Sequence, residues 1–120
     1  MKETLTLVLL MLCISVSTQL YSQTVSTFVP GPSTFDDGLA MDAGGNIYAS
    51  RYSGSTITKI TPQGSTSIFS SGISTPNGSD FGPDGYLYVS SNVSNGKILK
   101  VSPSGVPEIF IQGIPYPTMV

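Results

Sequence analysis

Short segments in which apolar and polar residues alternate follow one another along most of the chain. In residues 46–50 and 86–90, aliphatic side chains alternate with tyrosine and serine. A period of two is typical of β-strands, whose successive side chains point to opposite faces. Patterns of this kind predict strands at about 39–42, 46–50, 56–61, 66–70, 79–81, 86–90, 97–102 and 106–111. We therefore predict an all-β fold.

The segments between these strands have the composition of tight turns. Each has Pro or Asp early and Gly late, at 42–45, 61–64, 83–85 and 102–105. Pro and Asp favour the early positions of β-turns, and Gly supplies the positive φ needed later. Asp42 and Asp84 are interpreted as turn residues, with a catalytic role as the alternative.

The predicted strands belong to an internal repeat. Residues 38–50 align with 78–90, and 56–64 align with 97–105, at a spacing of about 40 residues. A repeat of this length built from short strands is typical of β-propeller blades. We predict a partial β-propeller in domain 23–120, with two four-stranded antiparallel blades from repeats at about 37–76 and 77–117. A further N-terminal strand is predicted at about 25–29, which echoes the end of the repeat unit.

Antiparallel order places the longer connections at one end of each blade. These are 51–55 and 91–96 between second and third strands, and 33–37 and 74–77 before the first strands. Functional residues concentrate on variable loops carried by a rigid scaffold. The sequence therefore predicts that a functional site lies at this end.

Charge and residue usage exclude several functions. The net charge is −2, and five basic residues are too few for a nucleic-acid interface. The chain has no histidine, and Cys13 is its only cysteine. These absences exclude His-based triads, His or Cys zinc sites and intramolecular disulfides. Any chemistry must then use carboxylates, amides and a bound cation.

The first 22 residues are predicted to be a secretory signal peptide. Lys2 precedes an apolar run at 5–14, and small residues follow, with cleavage near Ser17 or Ser22. The run is short for a bilayer, which takes about 20 residues. We expect a secreted or periplasmic protein with no stable membrane span after cleavage. An uncleaved anchor or a buried N-terminal helix is the alternative.

The repeat resembles a known group of propellers. Gly38-Leu39-Ala40-Met41-Asp42, followed by Gly-Asn-Ile-Tyr at 45–48 and Ile-x-Lys-Ile-x-Pro-x-Gly at 57–64, is similar to NHL repeats and to the gluconolactonase/senescence-marker-protein (regucalcin-like) family. The resemblance implies a six-bladed propeller. Family members with lactonase activity hold one divalent metal in the central channel.

Two of the family's metal-ligand motifs resemble Asp36-Asp37-Gly38 and Pro76-Asn77-Gly78, each just before an innermost strand. The resemblance makes Asp37 and Asn77 candidate ligands of Ca²⁺ or another divalent cation, because hard cations prefer oxygen donors. The alternative is that both residues only shape the turn into the inner strand.

Three departures from the family pattern favour a non-catalytic function. The expected metal-ligand Glu near the start has no clear match, and Ser50 and Ser90 stand where related repeats often carry Asp. Without histidine, a general base would have to be a carboxylate such as Asp37 or Asp80. We predict an exported module that binds or scaffolds a small molecule, carbohydrate or protein. The alternative is the N-terminal part of a metal-dependent lactonase.

The length also affects the prediction. Propellers close with about four to eight blades, and this sequence encodes two and a fraction. We expect part of a longer exported propeller, incomplete at the C-terminus. The rival expectation is a ring assembled from several copies.

Overall fold

The computed structural model describes residues 23–29 and 37–120, so the predicted signal peptide lies outside the described residues. Eight β-strands form two sheets, which we call blade 1 and blade 2. Blade 1 contains β1 (Leu39–Met41), β2 (Ile47–Ser50), β3 (Thr56–Ile60) and β4 (Thr66–Ser71). Blade 2 contains β5 (Pro76–Phe81), β6 (Leu87–Ser91), β7 (Gly96–Val101) and β8 (Pro107–Ile114). Over these residues, no helix has the length and apolar character needed to cross a membrane.

Each blade is an antiparallel sheet whose strands are neighbours in sequence order. The two registers correspond, since Tyr48 pairs with Lys59 in blade 1 and Tyr88 pairs with Lys100 in blade 2. The predicted all-β fold with two four-stranded antiparallel blades is confirmed.

The hairpin turns have the predicted glycine conformation. Gly85 between β5 and β6 has a φ of 78°, and Gly105 between β7 and β8 has a φ of 84°. Residues other than glycine rarely adopt this left-handed region, because their Cβ crowds the backbone. The late glycine of each turn therefore sets where one strand ends and the next begins.

The core lies between the two blades. Tyr48 of blade 1 is only 5% exposed, and its ring makes T-shaped contacts with Phe69 at 4.7 Å and with Phe81 of blade 2 at 5.0 Å. Blade 2 covers this aromatic cluster with the buried side chains of Leu87, Val89, Leu99 and Val101. Tyr48 therefore packs at the junction between the two blades.

Two strand predictions need correction. Residues 23–29 form no strand, because no strand of the described chain runs beside them to pair their backbone groups. In blade 2, β5 begins at Pro76 and not near residue 79, since Pro76 pairs with Ser91 across a bulge that ends at Ser79. Pairing with β6 thus makes Asn77 part of a strand, although Pro-Asn-Gly has local turn chemistry.

Candidate functional site

The starts of the inner strands form a row along one edge of the blades. Asp37 directly precedes Gly38 and β1, Asn77 is the second residue of β5, and Thr118 follows β8. The Cα of Gly38 packs against the backbone of Asn77 and Gly78, which leaves no room for a Cβ. Gly78 packs in the same way against Thr118, and the Gly78 amide donates a hydrogen bond to the Thr118 carbonyl, N to O 2.9 Å. The two glycines therefore allow the backbones at the starts of successive inner strands to approach closely along this edge.

These residues line a common cleft of about 470 Å³. The cleft is lined by Asp37 and Asn77, together with the carboxylate-bearing Asp80 and the hydroxyl-bearing Thr118. The structure thus brings the two predicted candidate ligands together. Asp80, the second carboxylate named as a possible general base, is exposed on β5 and lines the same cleft.

Thr118 was missed by the sequence reasoning. The signal that could have found it is the repeat itself, because Thr118 follows Asn77 at nearly the spacing that separates Asn77 from Asp37. Within residues 23–29 and 37–120, no three His, Cys, Asp or Glu side chains are grouped closely enough to hold a metal by themselves. Amide and hydroxyl oxygens would therefore have to contribute to any cation site here.

Two buried serines hold the row of inner-strand starts in place. Ser50 is fully buried at the end of β2, where its Oγ accepts a hydrogen bond from the Gly38 amide at 2.6 Å and lies 2.9 Å from the Asn77 carbonyl oxygen, to which it can donate. Ser90, at the equivalent position in blade 2, donates to the Gly78 carbonyl at 3.1 Å. At these two positions the chain thus has a neutral hydroxyl that hydrogen-bonds the backbone at the start of the inner strands.

Asp42 lies at the opposite end of β1 from the cleft and organises the first hairpin turn. Its Oδ1 accepts hydrogen bonds from the amides of Gly44 and Asn46, both at 2.9 Å. Its Oδ2 accepts from the Asn46 side chain at 2.8 Å and from the Tyr48 hydroxyl at 3.0 Å. The interpretation of Asp42 as a turn residue agrees with these contacts.

Asp84 has a corresponding place in blade 2. Its carboxylate accepts hydrogen bonds from the Tyr86 amide and the Tyr88 hydroxyl, and it pairs with Lys100 at 2.9 Å. The hydrogen bond from Lys100 is the main reason that the pKa of Asp84 lies below its ordinary value. Because this pair is solvent-exposed, it contributes little to stability.

The carboxyl of Asp42 should make folding sensitive to acid. Partial burial acts to raise its pKa, but hydrogen bonds from Asn46, Tyr48 and Gly44 outweigh it and hold the pKa below the ordinary 3.8. A lowered folded-state pKa stabilises the fold above 3.8, and that contribution is lost as the pH falls through the folded-state pKa.

We expect Asp42→Asn to lower the free energy of unfolding at pH 7 by about 1–3 kcal/mol, because charge-assisted hydrogen bonds are lost. The gap between wild type and variant should shrink as the pH falls below 3.8, which urea titrations from pH 7 to pH 3 measure. Glu108→Gln, an exposed carboxyl change on β8, is the control. A gap that stays constant over this range would contradict the assigned role of Asp42.

At the end predicted to carry variable loops, hydrogen bonds join the loop after β6 to the segments that precede β5 and follow β8. The Asn92 side-chain amide donates to the Pro117 carbonyl at 3.2 Å, and the Thr75 hydroxyl donates to the Asn92 carbonyl at 3.0 Å. Thr75 has a φ of 40°, an uncommon value for a β-branched residue. These contacts hold the segments that lead into β5 and out of β8, and so support the cleft.

Comparisons with solved structures agree with this geometry. The chain is similar to a PQQ-bound aldose sugar dehydrogenase from Streptomyces coelicolor, with a TM-score of 0.64 and 22% identity over 78% of this chain and 34% of that one. It is similar to virginiamycin B lyase from Staphylococcus aureus, with a TM-score of 0.64 and 21% identity over 76% of this chain and 32% of that one. All of these neighbours are β-propellers. The chain has a β-propeller fold.

A third propeller neighbour is a gluconolactonase from Xanthomonas campestris, with a TM-score of 0.58 and 15% identity over 66% of this chain and 27% of that one. This chain spans about a third of the length of the three structures. No protein-family model matches the sequence, and neither does any curated protein. Since the three neighbours are named for different reactions, the likeness establishes the propeller fold alone.

Proposed function

We propose that this chain is an exported propeller module that binds a small polar ligand or a cation at the cleft beside its inner strands. The observation that carries the proposal is that Asp37 and Asn77, from successive blades, line one cleft. Propellers present the inner strands of all their blades to a central channel. Oxygen donors repeated along such strands therefore converge on a ligand in that channel.

The donor set fits a hard divalent cation such as Ca²⁺. Asp37 and Asp80 offer carboxylate oxygens, Asn77 offers an amide oxygen and Thr118 offers a hydroxyl. Ca²⁺ takes roughly six to eight oxygen ligands in a flexible geometry. These residues would hold the cation on one side and leave its other positions for water, ligand or further protein oxygens. A bound cation there would supply charge that orients an anionic or carbonyl-bearing ligand.

A metal-dependent lactonase is the second candidate. Its support is the pairing of Asp37 with Asn77 in one cleft, together with the fold shared with a gluconolactonase. The chain has no histidine, so proton transfer would fall to a carboxylate, and Asp37 and Asp80 are the ones that line the cleft. We favour the binding module because Ser50 and Ser90 are committed to backbone hydrogen bonds and add no acid or base.

Export is the part of the proposal that depends on residues 1–22. A charged start, the apolar run at 5–14 and the small residues after it support a signal peptide. Extracellular or periplasmic placement suits a weak cation site, since extracellular modules bind Ca²⁺ with dissociation constants of about 10⁻⁴–10⁻³ M.

Calcium titration by calorimetry tests the site. We expect Ca²⁺ binding by the wild-type chain and at least tenfold weaker binding by both Asp37→Ala and Asn77→Ala. Glu108→Ala removes an exposed carboxylate on β8, away from the cleft, and should bind as wild type does. Unchanged binding in both cleft variants would remove these residues from the site.

A lactone hydrolysis assay separates the two candidates. The binding module predicts no metal-dependent hydrolysis of gluconolactone above the rate in buffer. Hydrolysis that requires Ca²⁺ and is lost in Asp37→Ala, but kept in Glu108→Ala, would favour the lactonase.

A further inference from the structure

Two segments that lead to cleft residues share one local structure. Among the described residues, Thr75 and Tyr116 are the two non-glycine residues with a positive φ, 40° and 48°. Each is followed by a proline and then by a residue that lines the cleft, Asn77 or Thr118. A positive φ is uncommon outside glycine, and a following proline further restricts the residue before it. We call each three-residue unit a proline step, the first beginning at Thr75 and the second at Tyr116.

The proline of each step is an anchor. Pro76 is fully buried, and Pro117 is also buried. The Pro117 ring lies so close to Gly96 that a Cβ on this glycine would collide with it. Because the proline ring is closed onto its own backbone, a buried ring also fixes the backbone that carries it. Each anchor therefore determines where the cleft residue that follows it lies.

The loop after β6 lies between the two proline steps and holds both. In the first step, Thr75 accepts a hydrogen bond from the Asn92 amide at 3.0 Å and donates its hydroxyl to the Asn92 carbonyl at 3.0 Å. In the second step, the Tyr116 amide donates to the Val93 carbonyl at 2.9 Å, and the Asn92 side-chain amide donates to the Pro117 carbonyl at 3.2 Å. Asn92 thus binds the first step with its backbone and the second with its side chain.

Strained backbone conformations persist where the surrounding structure holds them, and they concentrate at ligand sites. We propose that Asn92 is a positioning residue of the cleft, although it lies outside the cleft lining. Its side-chain amide holds the second proline step, so that Thr118 keeps a fixed place relative to Asn77. A site whose donors are already in place loses less conformational freedom when it binds. The inference rests on the function proposed above for the cleft.

Hydrogen exchange tests the positioning in the absence of any ligand. The Gly78 amide donates to the Thr118 carbonyl at 2.9 Å, so its exchange rate reports on the place of Thr118. We expect Asn92→Ala to speed exchange of the Gly78 amide at least tenfold. The Ser50 amide, which donates to the Gly38 carbonyl at 2.9 Å in blade 1, should keep its rate.

Calcium affinity tests whether Asn92 acts through Thr118. We expect Asn92→Ala and Thr118→Ala each to weaken Ca²⁺ binding by about three- to tenfold, measured by titration of amide chemical shifts. The double variant should bind no more weakly than the weaker single variant, because both changes remove the same donor from the site. Two residues that act independently would instead show losses that multiply.

Two control variants accompany Asn92→Ala. Asn95→Ala makes the same change at an exposed position of the same loop and should leave both exchange and affinity as in wild type. Tyr52→Phe removes the hydroxyl that donates to the Asn92 side-chain oxygen at 3.4 Å, and it should also leave both unchanged. Circular dichroism checks that each variant keeps its strands. If Asn92→Ala unfolds, Asn92→Asp keeps the size of the side chain, removes the amide donor and should speed Gly78 exchange in the same way.

The outcomes separate this inference from the proposed function. Unchanged exchange of Gly78 in the Asn92 variants would overturn the positioning role, whether or not the wild type binds Ca²⁺. Equal acceleration at Gly78 and Ser50 would also overturn it, since that indicates loosening of the whole chain. Losses of affinity that multiply would exclude action through Thr118. Faster exchange confined to Gly78, in a chain whose wild type binds no Ca²⁺, would support the positioning and overturn the calcium site.

Discussion

Gly105→Ala is expected to destabilise the chain by about 2–5 kcal/mol, because two costs add at this turn. Gly105 has a φ of 84°, a region in which alanine is strained. A Cβ at this position would also collide with the backbone carbonyl of Phe69 in blade 1. The colliding groups belong to the backbone of the Gly105 turn and of β4, and neither can rotate away as a side chain can. The turn of blade 2 would therefore be pushed away from β4.

Gly85→Ala is the matched control for this prediction. Gly85 has a φ of 78° in the other hairpin turn of blade 2, but among the described residues other than its two chain neighbours no heavy atom lies within 4 Å of its Cβ position. Only the conformational cost remains, about 1–2 kcal/mol. Urea denaturation of both variants measures the difference. Equal losses would mean that the turn of Gly105 does not pack against Phe69 in solution.

Tyr48→Ala is expected to cost about 3–5 kcal/mol, a large part of the stability of a small domain. The ring is almost fully buried and contacts Phe69 and Phe81, so its removal opens a cavity between the blades. Its hydroxyl also donates to Asp42 at 3.0 Å. Thermal unfolding followed by circular dichroism, together with urea denaturation, measures the loss.

Tyr88→Ala provides the comparison in blade 2. Tyr88 also donates its hydroxyl to an aspartate, Asp84 at 3.0 Å, but within residues 37–120 its ring stacks with one aromatic side chain, Phe110, and it is less buried than Tyr48. The expected loss is about 1–2 kcal/mol. Similar losses in the two variants would contradict the assignment of the main core to the junction between blades. Tyr48→Phe keeps the ring contacts and removes only the hydroxyl, so it should lose only about 1 kcal/mol, the contribution of one hydrogen bond.

The site illustrates how far sequence reasoning reached. Resemblance to known propellers selected Asp37 and Asn77, and the structure places both on one cleft. It did not select Thr118, because a threonine near Pro117 carries no local signal of its own. Thr118 joins the cleft only because Gly78 packs against its backbone.

The sequence by itself determined the eight strands, their turns and their grouping into two repeats. These features depend on local alternation and on Pro, Asp and Gly within a few residues, so no distant contact is needed to predict them. The tertiary structure decided what depends on neighbours distant in the chain. Pairing with β6 drew Asn77 into β5, and residues 23–29 formed no strand without a described neighbour to pair with. Tyr48 and Tyr88 are equivalent residues of the two repeats, and each packs against a phenylalanine in the equivalent place. Packing of blade 2 on blade 1 buried Tyr48, whereas Tyr88 is only partly buried. Burial depends on which surface lies opposite a side chain, and that is a property of the assembled blades.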